Sequence, residues 1–412
     1  MKVLHVNHSD INGGAARAVY RLHSALRSAG VRSEMLVAEK MTDDHDVLCP
    51  GGALAKLAAR LKSPVVQKGL NALFSTTNKV LHSPAFFSSH LLEHINKSDA
   101  DVINLHWING ETLSVSDIAR IKKPLVWTIH DMWPFCGAEH VTTDRRWVDG
   151  YLRSNRPSYE SGFDVNRWVW NRKAAAWFKP FHIVTPSLWM ADNVRNSVIF
   201  NGWPIETIPN VIDTQVWKIL DKQFARKALG LPLDKKLVAF GSFGANGADH
   251  KGFDLLIEAL KGFTASSVSF DLVVYGQSEP AFPLDIQQNV RYMGHLRDEV
   301  TMCLLFNAVD VVIIPSRVDN FPSSGIEAFS CGTPVVAFRT CGLTDIVEHK
   351  VNGYLADPFM HLSLKRGIEW VLEDSDRFNS LGMSARKRAE QSWSPGVVVP
   401  RYISLYERVV SA

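Results

Sequence analysis

The chain has 412 residues, 46% hydrophobic and 21% charged, so it has the composition of a globular protein and is long enough for two hydrophobic cores. Its net charge of +3 is too small to indicate a nucleic-acid-binding protein. Its five cysteines are widely spaced and include no Cys-x-x-Cys pair, which favours reduced thiols in a cytoplasmic protein over a disulfide framework or a zinc site.

The first half alternates strand-like and helical segments. It opens directly on a short apolar strand, and no apolar run approaches the ~20 residues that cross a bilayer, so we expect neither a signal peptide nor a spanning helix. Residues 15–29 show helical periodicity. Strands are predicted at residues 2–7, 35–38, 102–105, 125–129 and 181–185.

A glycine-rich loop, Asn12-Gly13-Gly14-Ala15, lies between the first strand and the first helix. Two residues without side chains let the backbone approach a diphosphate closely, and the start of the helix adds N–H groups. The loop does not match Gly-x-Gly-x-x-Gly, which disfavours a nicotinamide site. A simple turn is the alternative interpretation.

Residues 47–92 contain no Asp or Glu and interleave cations with apolar residues. A basic amphipathic helix of this kind can lie on an anionic membrane surface. An ordinary helix pair with a solvated basic face is the alternative. The cations are Lys56, Arg60, Lys62, Lys68 and Lys79.

Two histidines follow predicted strands. His106 comes directly after residues 102–105, and His130 comes directly after residues 125–129. An imidazole at such a strand end can hydrogen-bond a sugar hydroxyl or help to stabilise positive charge near an anomeric carbon. The alternative for His130 is a histidine that is satisfied by its neighbour Asp131.

An irregular, polar stretch at residues 142–179 contains four tryptophans and looks like an insertion. Aromatic faces stack on sugar rings, so the stretch is a candidate wall of an acceptor site. Packing within the insertion is the alternative. The tryptophans are Trp147, Trp168, Trp170 and Trp177.

The second half also alternates strands and helices, which predicts a second parallel, doubly wound sheet. The boundary between the halves is expected near residues 210–217, where Pro209, Asn210 and Asp213 interrupt the pattern. Strands are predicted at residues 237–240, 270–275, 290–293, 311–314 and 334–337.

The most informative segment of the second half sets Asp319 and Glu327 eight positions apart around a Phe-Pro-Ser-Ser-Gly turn. The turn follows a predicted buried strand, and ligands bind at the carboxyl ends of strands in open α/β sheets. Ser323 and Ser324 can open a helix whose N–H groups suit a phosphate. Glu327, in an accessible cleft, could accept two hydrogen bonds from a ribose diol. Otherwise the two acids are a loop cap and a helix N-terminal charge.

The order of residues in this segment resembles the Glu-x7-Glu signature of the retaining GT-B glycosyltransferases of family 4. It is most similar to a bacterial polysaccharide-assembly branch in which the first acid is Asp within an Asp-Asn-x-Pro loop. Six other segments resemble the same family in the same order. They are residues 12–18, 104–110, 127–135, 185–189, 208–214 and 250–254.

The resemblance implies an α/β GT-B fold, with two Rossmann-like doubly wound parallel-sheet domains that face an interdomain cleft. It places an acceptor-side domain at residues 1–213, to which a C-terminal helix at about 396–412 returns. It places a nucleotide-sugar-binding domain at residues 214–395. The active site is expected between the domains.

The resemblance also implies roles for single residues. Glu327 holds the ribose, Lys251 and backbone N–H groups hold the diphosphate, and Asp319 and His130 address the donor sugar. Catalytic roles are thus expected for His130, Asp319 and Lys251, and acceptor-side roles for His106, Trp107 and Asp131. The donor-binding set is Gly13, Gly14, Lys251, Asp319, Phe321, Ser323, Ser324 and Glu327.

The chain departs from the family pattern at one cation. Many members carry a Gly-Arg pair after the first strand of the second domain, whereas this chain has Gly241-Ser242. Arg17 and Arg317 are the candidates to replace that arginine, and the sequence does not rank them. Residues 244–250 form a long polar loop beside the missing cation.

The expected function is transfer of a sugar, with retention of configuration, from a nucleotide-sugar donor to a hydroxyl of a glycan or lipid-linked glycan. Neither a cofactor nor an obligatory metal is expected. The expected location is cytoplasmic, with peripheral association at the inner face of the plasma membrane as an option. A sugar-nucleotide epimerase of the same fold and a non-catalytic membrane-associated scaffold remain the alternatives.

Overall fold

The computed structural model describes residues 1–51, 53–241, 249–264, 267–281 and 283–412, with the side chains of residues 53–61, 63 and 249 left out. The chain forms two compact units. The first unit comprises residues 1–211 and 398–412, and the second comprises residues 212–397.

The first unit is built on a parallel sheet with strand order β3-β2-β1-β5-β6-β8-β9, and β4 and β7 form a separate antiparallel ribbon. Its central strands are buried on both faces, as is typical of a parallel sheet covered by helices. The strands are β1 (Lys2–Ser9), β2 (Arg32–Glu39), β3 (Val47–Leu48), β4 (Phe74–Thr76), β5 (Val102–Leu105), β6 (Leu125–Thr128), β7 (Glu160–Gly162), β8 (His182–Thr185) and β9 (Ile205–Thr207).

The helices of the first unit lie mostly between successive strands. Several begin at a side chain that caps free backbone N–H groups, as Ser114 does in a capping box with Asp117. The helices are α1 (Gly14–Ser28), α2 (Ala53–Leu73), α3 (Leu91–Lys97), α4 (Val115–Ala119), α5 (Arg146–Asp149), α6 (Val165–Ala176) and α7 (Leu188–Asn196).

The second unit is built on a parallel sheet with strand order β12-β11-β10-β13-β14-β15. Two apolar clusters cover the two faces of this sheet. The strands are β10 (Leu237–Gly241), β11 (Asp271–Tyr275), β12 (Val290–Tyr292), β13 (Val311–Ile314), β14 (Val335–Phe338) and β15 (Gly353–Ala356).

The helices of the second unit begin with α8 (Lys222–Ala228). A short 3-10 turn at Asp249–Lys251 precedes the second of them. The others are α9 (Phe253–Lys261), α10 (Glu299–Ala308), α11 (Ser323–Ser330), α12 (Leu343–Ile346), α13 (His361–Leu372) and α14 (Ser375–Trp393).

Helix α15 (Pro395–Ser411) contributes residues 398–411 to the core of the first unit. Its Tyr406 hydroxyl accepts a hydrogen bond from Asn104 Nδ2 at 2.7 Å, and the Arg401 guanidinium donates to the carbonyl of Thr207. Together with the two parallel sheets, this arrangement confirms the expected fold class. The short strands β3, β4, β7, β9 and β15 were not predicted.

Candidate active site

Three histidines from adjacent strands of the first sheet meet in a row. His5 lies within β1, and His106 and His130 lie just beyond the ends of β5 and β6. His5 Nδ1 is 3.0 Å from His106 Nε2, and His106 Nδ1 is 3.1 Å from His130 Nε2. The structure therefore brings the predicted His106 and His130 together and adds His5, which the sequence analysis did not select.

Burial keeps this row of imidazoles neutral. It lowers the pKa of His130 to about 4 and lowers the pKa values of His5 and His106 well below the ordinary range. A neutral ring accepts one hydrogen bond and donates one, which is what a row of imidazoles requires. At neutral pH the site presents imidazole rather than imidazolium.

A fourth histidine, His23 of α1, lies beside the row. Its ring meets the His5 ring edge-on at a centroid distance of 6.4 Å, and its Nδ1 is 2.8 Å from the Ser33 hydroxyl. Burial lowers the pKa of His23 to about 4, against the opposing effect of Asp44. His23 is thus another neutral ring in the interior of the first unit.

Asp131 is held by a group of polar contacts. Its carboxylate accepts hydrogen bonds from the Trp107 indole at 2.8 Å and the Trp133 backbone N–H at 3.0 Å, and His140 Nδ1 lies 2.6 Å away. Burial acts to raise the pKa of Asp131, but His140 and these donors hold it below its ordinary value. The predicted acceptor-side residues Trp107 and Asp131 are therefore in direct contact.

His140 joins this group to Ser83. His140 Nε2 is 2.8 Å from the Ser83 hydroxyl, and both side chains are buried. The contact was missed because Ser83 lies 57 positions from His140 and neither residue follows a predicted strand directly. Asp131 contacts His140, whereas His130 contacts His106, so the two neighbours have separate partners.

The predicted glycine-rich loop opens α1 as expected. The helix begins at Gly14, and Gly13 has φ +95, a conformation that side chains disfavour. A Cβ atom at either glycine would meet no other atom within 4 Å. The backbone, rather than crowding, requires glycine at position 13, and there is open space in front of the loop.

Two of the four tryptophans proposed as an acceptor wall lie in the core. Trp147 and Trp177 are buried, and the Trp177 ring stacks on Phe200. The proposal is therefore wrong for these two, because apolar packing within the first unit takes up their faces. Trp168 is partly exposed and lies under the Arg172 guanidinium.

In the second unit, Lys251 and Asp319 form an ion pair. Lys251 Nζ is 2.7 Å from Asp319 Oδ2, although the residues are 68 positions apart. The Ser316 hydroxyl also donates to Asp319 Oδ2, and the Gly342 N–H donates to the Asp319 carbonyl. The loop after β13 thus meets the 3-10 turn before α9, and two predicted catalytic residues touch.

The turn that carries Lys251 depends on Gly252. Gly252 has φ +67, and a Cβ atom there would lie 1.9 Å from the Pro315 carbonyl oxygen. Only glycine allows the backbone to pass this closely. The close approach places Lys251 next to the end of β13.

Arg317 lies beside the same turn. Its guanidinium contacts both carboxylate oxygens of Asp254, at 2.7 and 2.6 Å, and its backbone N–H donates to the His250 carbonyl at 2.7 Å. Of the two arginines that could replace the missing family cation, Arg317 is therefore the one next to Lys251. Arg17 lies in α1 of the first unit.

Glu327 lies in α11 as predicted, but it is only 3% exposed. The expectation of an accessible carboxylate is wrong, because α11 packs this face onto the buried end of β11. Tyr275 lies there: burial raises the pKa of its hydroxyl, the Glu327 charge adds to the effect, and Ser324 hydrogen-bonds it. Phe321 is also buried and packs edge-on against Trp393.

Some predicted features fall outside the described residues. Ser242 and residues 244–248 of the polar loop are among them, as are the side chains of Lys56 and Arg60.

In the described part of the chain, no group of three or more His, Cys, Asp or Glu side chains could hold a metal ion. Within the same residues, every helix is too short or too polar to cross a bilayer. The expectation that no metal is required stays a prediction.

Two family models match the chain. Glycosyltransferase Family 4 matches residues 12–216, and Glycosyl transferases group 1 matches residues 221–388. The D-inositol 3-phosphate glycosyltransferase of Segniliparus rotundus is 29% identical over 202 residues, which are 46% of this chain and 44% of that protein. The chain spans about half the length of the curated relatives it matches.

Two solved structures match over nearly the whole chain. Sucrose-phosphate synthase from Thermosynechococcus elongatus superimposes with a TM-score of 0.70 at 17% identity and covers 100% of both chains. Anabaena Alr3699/HepE in complex with UDP superimposes with a TM-score of 0.65 at 18% identity, over 99% of this chain and 100% of that one. These likenesses confirm the α/β fold of GT-B type.

Proposed function

The chain carries a Glycosyltransferase Family 4 domain followed by a Glycosyl transferases group 1 domain, and from this premise we propose that it transfers a sugar from a nucleotide-sugar donor to a hydroxyl acceptor. The observation that carries the proposal is the contact between Lys251 and Asp319. It joins the cation expected to bind phosphate to the carboxylate expected to address the sugar.

The pair suits an exchange of partners. The Lys251 side chain is 39% exposed and can turn towards an incoming diphosphate, whose charge exceeds that of one carboxylate. Asp319, once released, can accept a hydrogen bond from a sugar hydroxyl. Lys251 then stabilises the negative charge that develops on the departing diphosphate.

Other residues of the second unit complete the donor site. We assign the diphosphate to backbone N–H groups at the start of α11, since a helix N-terminus favours anions. We assign the ribose to Glu327, whose burial makes a hydrogen bond to a charged acceptor stronger than it would be in water. In this scheme nucleotide binding displaces local contacts of Glu327 rather than bulk water.

We further propose that transfer retains the anomeric configuration. The departing diphosphate would itself accept the proton of the incoming hydroxyl on the same face of the sugar, so no separate strong base is needed. His130 and the Asp131 group, which lie in the first unit, are assigned to the sugar and the acceptor. The proposed acceptor is a glycan or lipid-linked glycan.

A membrane surface is the proposed location of a lipid-linked acceptor. Helix α2 exposes Val65 by 65% and Leu73 by 63%, and the exposed Lys68 lies between them. Phe86 and Phe87 are also exposed. Apolar residues flanked by cations, in a segment free of acids, fit an anionic lipid surface.

A donor screen tests the proposed activity. The full chain is incubated with UDP-, GDP- and ADP-sugars, beginning with UDP-glucose, and release of nucleoside diphosphate is measured with and without glycan acceptors. We expect slow release from one donor and faster release with acceptor. Release from none of them would refute the proposal, and an altered sugar nucleotide without diphosphate release would indicate an epimerase.

A further inference from the structure

The row of imidazoles in the first unit continues beyond the residue assigned to the sugar. His5 is fully buried, and both ring nitrogens of His106 are engaged within the row, by His5 and by His130. The His5 and His106 ring centroids are 5.2 Å apart, and the His106 and His130 centroids are 5.4 Å apart. Adjacent strands hold the three rings at this spacing, because neighbouring strands in a sheet lie ~4.8 Å apart.

The neutral row has two proton arrangements. Either every ring carries its proton on Nδ1, so that His5 donates to His106 and His106 donates to His130, or every ring carries it on Nε2 and the direction is reversed. The two hydrogen bonds link the tautomers of the three rings, because each bond needs one donor nitrogen and one acceptor nitrogen. The arrangement at His5 therefore decides the arrangement at His130.

The environment of His5 selects between them. Within the described residues, His5 Nε2 is buried and has no hydrogen-bond partner. A proton on Nε2 would leave a buried N–H without an acceptor, and orphaned N–H groups are rarer in proteins than under-used acceptors. The neighbouring His23 ring is neutral and meets His5 edge-on. The proton of His5 is therefore placed on Nδ1.

We propose that His5 and His106 are positioning residues that fix His130 in the Nδ1–H tautomer. His130 then presents a neutral N–H donor to an oxygen of the bound sugar. The proposal rests on the proposed function only in naming the sugar as the partner of His130. The Asp131 charge raises the pKa of His130, and burial outweighs it.

A neutral donor suits the reaction. The anomeric carbon becomes electron-poor as the leaving group departs, through an oxocarbenium-like transition state. An imidazolium at this point would add a positive charge beside it, whereas a neutral Nδ1–H holds a hydroxyl without that charge. The buried row thus supplies a donor whose direction does not depend on pH over the neutral range.

The tautomer is tested by nitrogen NMR of the full chain labelled with ¹⁵N-histidine at pH 7. We expect a protonated Nδ1 and an unprotonated Nε2 for His5, His106 and His130. The variant His5→Phe keeps an aromatic ring but removes the donor, and we expect it to shift the His106 and His130 signals. His5→Asn, whose amide N–H can stand in for Nδ1–H, should restore them.

His23→Phe is the matched control, because it removes a buried histidine that contacts His5 but lies outside the hydrogen-bonded row. It should leave the His130 tautomer unchanged. In turnover of the donor found by the screen, His5→Phe should lose about 10-fold, the worth of about one hydrogen bond, and His5→Asn should recover most of it.

Three results would overturn the proposal: a protonated Nε2 on neutral His130, an imidazolium at pH 7, or His130 signals that ignore His5→Phe. If the NMR result is as expected but no nucleotide sugar is turned over, the tautomer assignment stands and the proposed function fails. The two proposals are therefore tested separately.

Discussion

The candidate site residues of the two units are held by contacts of opposite kinds. In the first unit, neutral imidazoles from adjacent strands contact one another in the interior. In the second, a lysine and an aspartate of opposite charge meet where the side chains reach solvent. The first arrangement suits orientation, because buried rings have fixed partners. The second suits exchange, because a charged pair near solvent gives up its partner to a ligand at little cost. The predictions below test this contrast.

The largest expected effect is a loss of stability of the first unit in acid. The pKa values of His23 and His130 are about 4 when folded, against about 6.5 when unfolded, so the unfolded chain binds more protons between these values. Stability present above pH 6.5 is then lost as the pH falls, by about 3 kcal/mol for each histidine at pH 4.

Urea unfolding between pH 7 and pH 4 measures this loss. Nine of the twelve tryptophans lie in the first unit, so tryptophan fluorescence reports mainly on it. His23→Phe should remove the share of one histidine, about 3 kcal/mol of the loss at pH 4, and leave the rest to His5, His106 and His130. A transition midpoint that does not move between pH 7 and pH 4 would contradict the neutral interior.

The next effect is on turnover, through the pair in the second unit. Lys251→Ala should lower kcat on the order of 10²–10³, because the diphosphate charge is larger in the transition state than in the bound donor. Lys261→Ala, at the other end of α9, is the matched control and should have no effect. A change confined to nucleoside binding would remove Lys251 from the leaving-group role.

A smaller effect is expected from Glu327→Gln, which keeps the volume of this buried side chain and removes its charge. Nucleoside diphosphate binding should weaken about 10- to 100-fold, the worth of a hydrogen bond to a charged group. Calorimetry with UDP, GDP and ADP measures it. Equal affinity of the variant and the wild type for all three nucleotides would take Glu327 out of the ribose site.

The smallest effect per residue is expected at the membrane surface, where each cation contributes ~1 kcal/mol. Changing Lys56, Arg60, Lys62 and Lys68 to Gln should abolish co-sedimentation with anionic vesicles. Wild-type binding should weaken as salt rises and the Debye length falls from ~10 Å at 0.1 M. Hydrolysis of the donor without acceptor should not change.

A second quadruple variant controls for net charge. Lys227, Lys235, Lys261 and Lys387 are exposed lysines of the second unit, and changing them to Gln should leave vesicle binding intact. Membrane association would be rejected if wild-type protein ignored anionic vesicles at low salt or if the first variant still bound fully.

The sequence predicted the fold well where a continuous apolar run marks a buried strand. Continuous β-branched runs located the buried strands, and the run at residues 311–314 correctly placed the Asp319 loop and the start of α11 after the carboxyl end of β13. It missed β3, β4, β7, β9 and β15, which are two to four residues long and lack the continuous apolar run that located strands of similar length such as β13 and β14.

The polar contacts of the first unit could not be predicted in the same way. His5 sits in the middle of an apolar strand, and its partner lies 101 positions away. Only the order β1-β5-β6 in the sheet brings the rings together, and a sequence does not state that order. Burial of Glu327 was missed for a similar reason, since Tyr275 comes from a distant strand.

The return of α15 to the first unit has a consequence for synthesis on the ribosome. Residues of α15 such as Tyr402 and Tyr406 complete the apolar cluster that includes Val102 of β5 and Val126 of β6. Residues 212–397 must be made first, which takes about 10–40 s at typical elongation rates. During that interval part of the apolar surface of the amino-terminal sheet stays uncovered. Chaperone binding to nascent chains should therefore be strongest before residue 398 emerges.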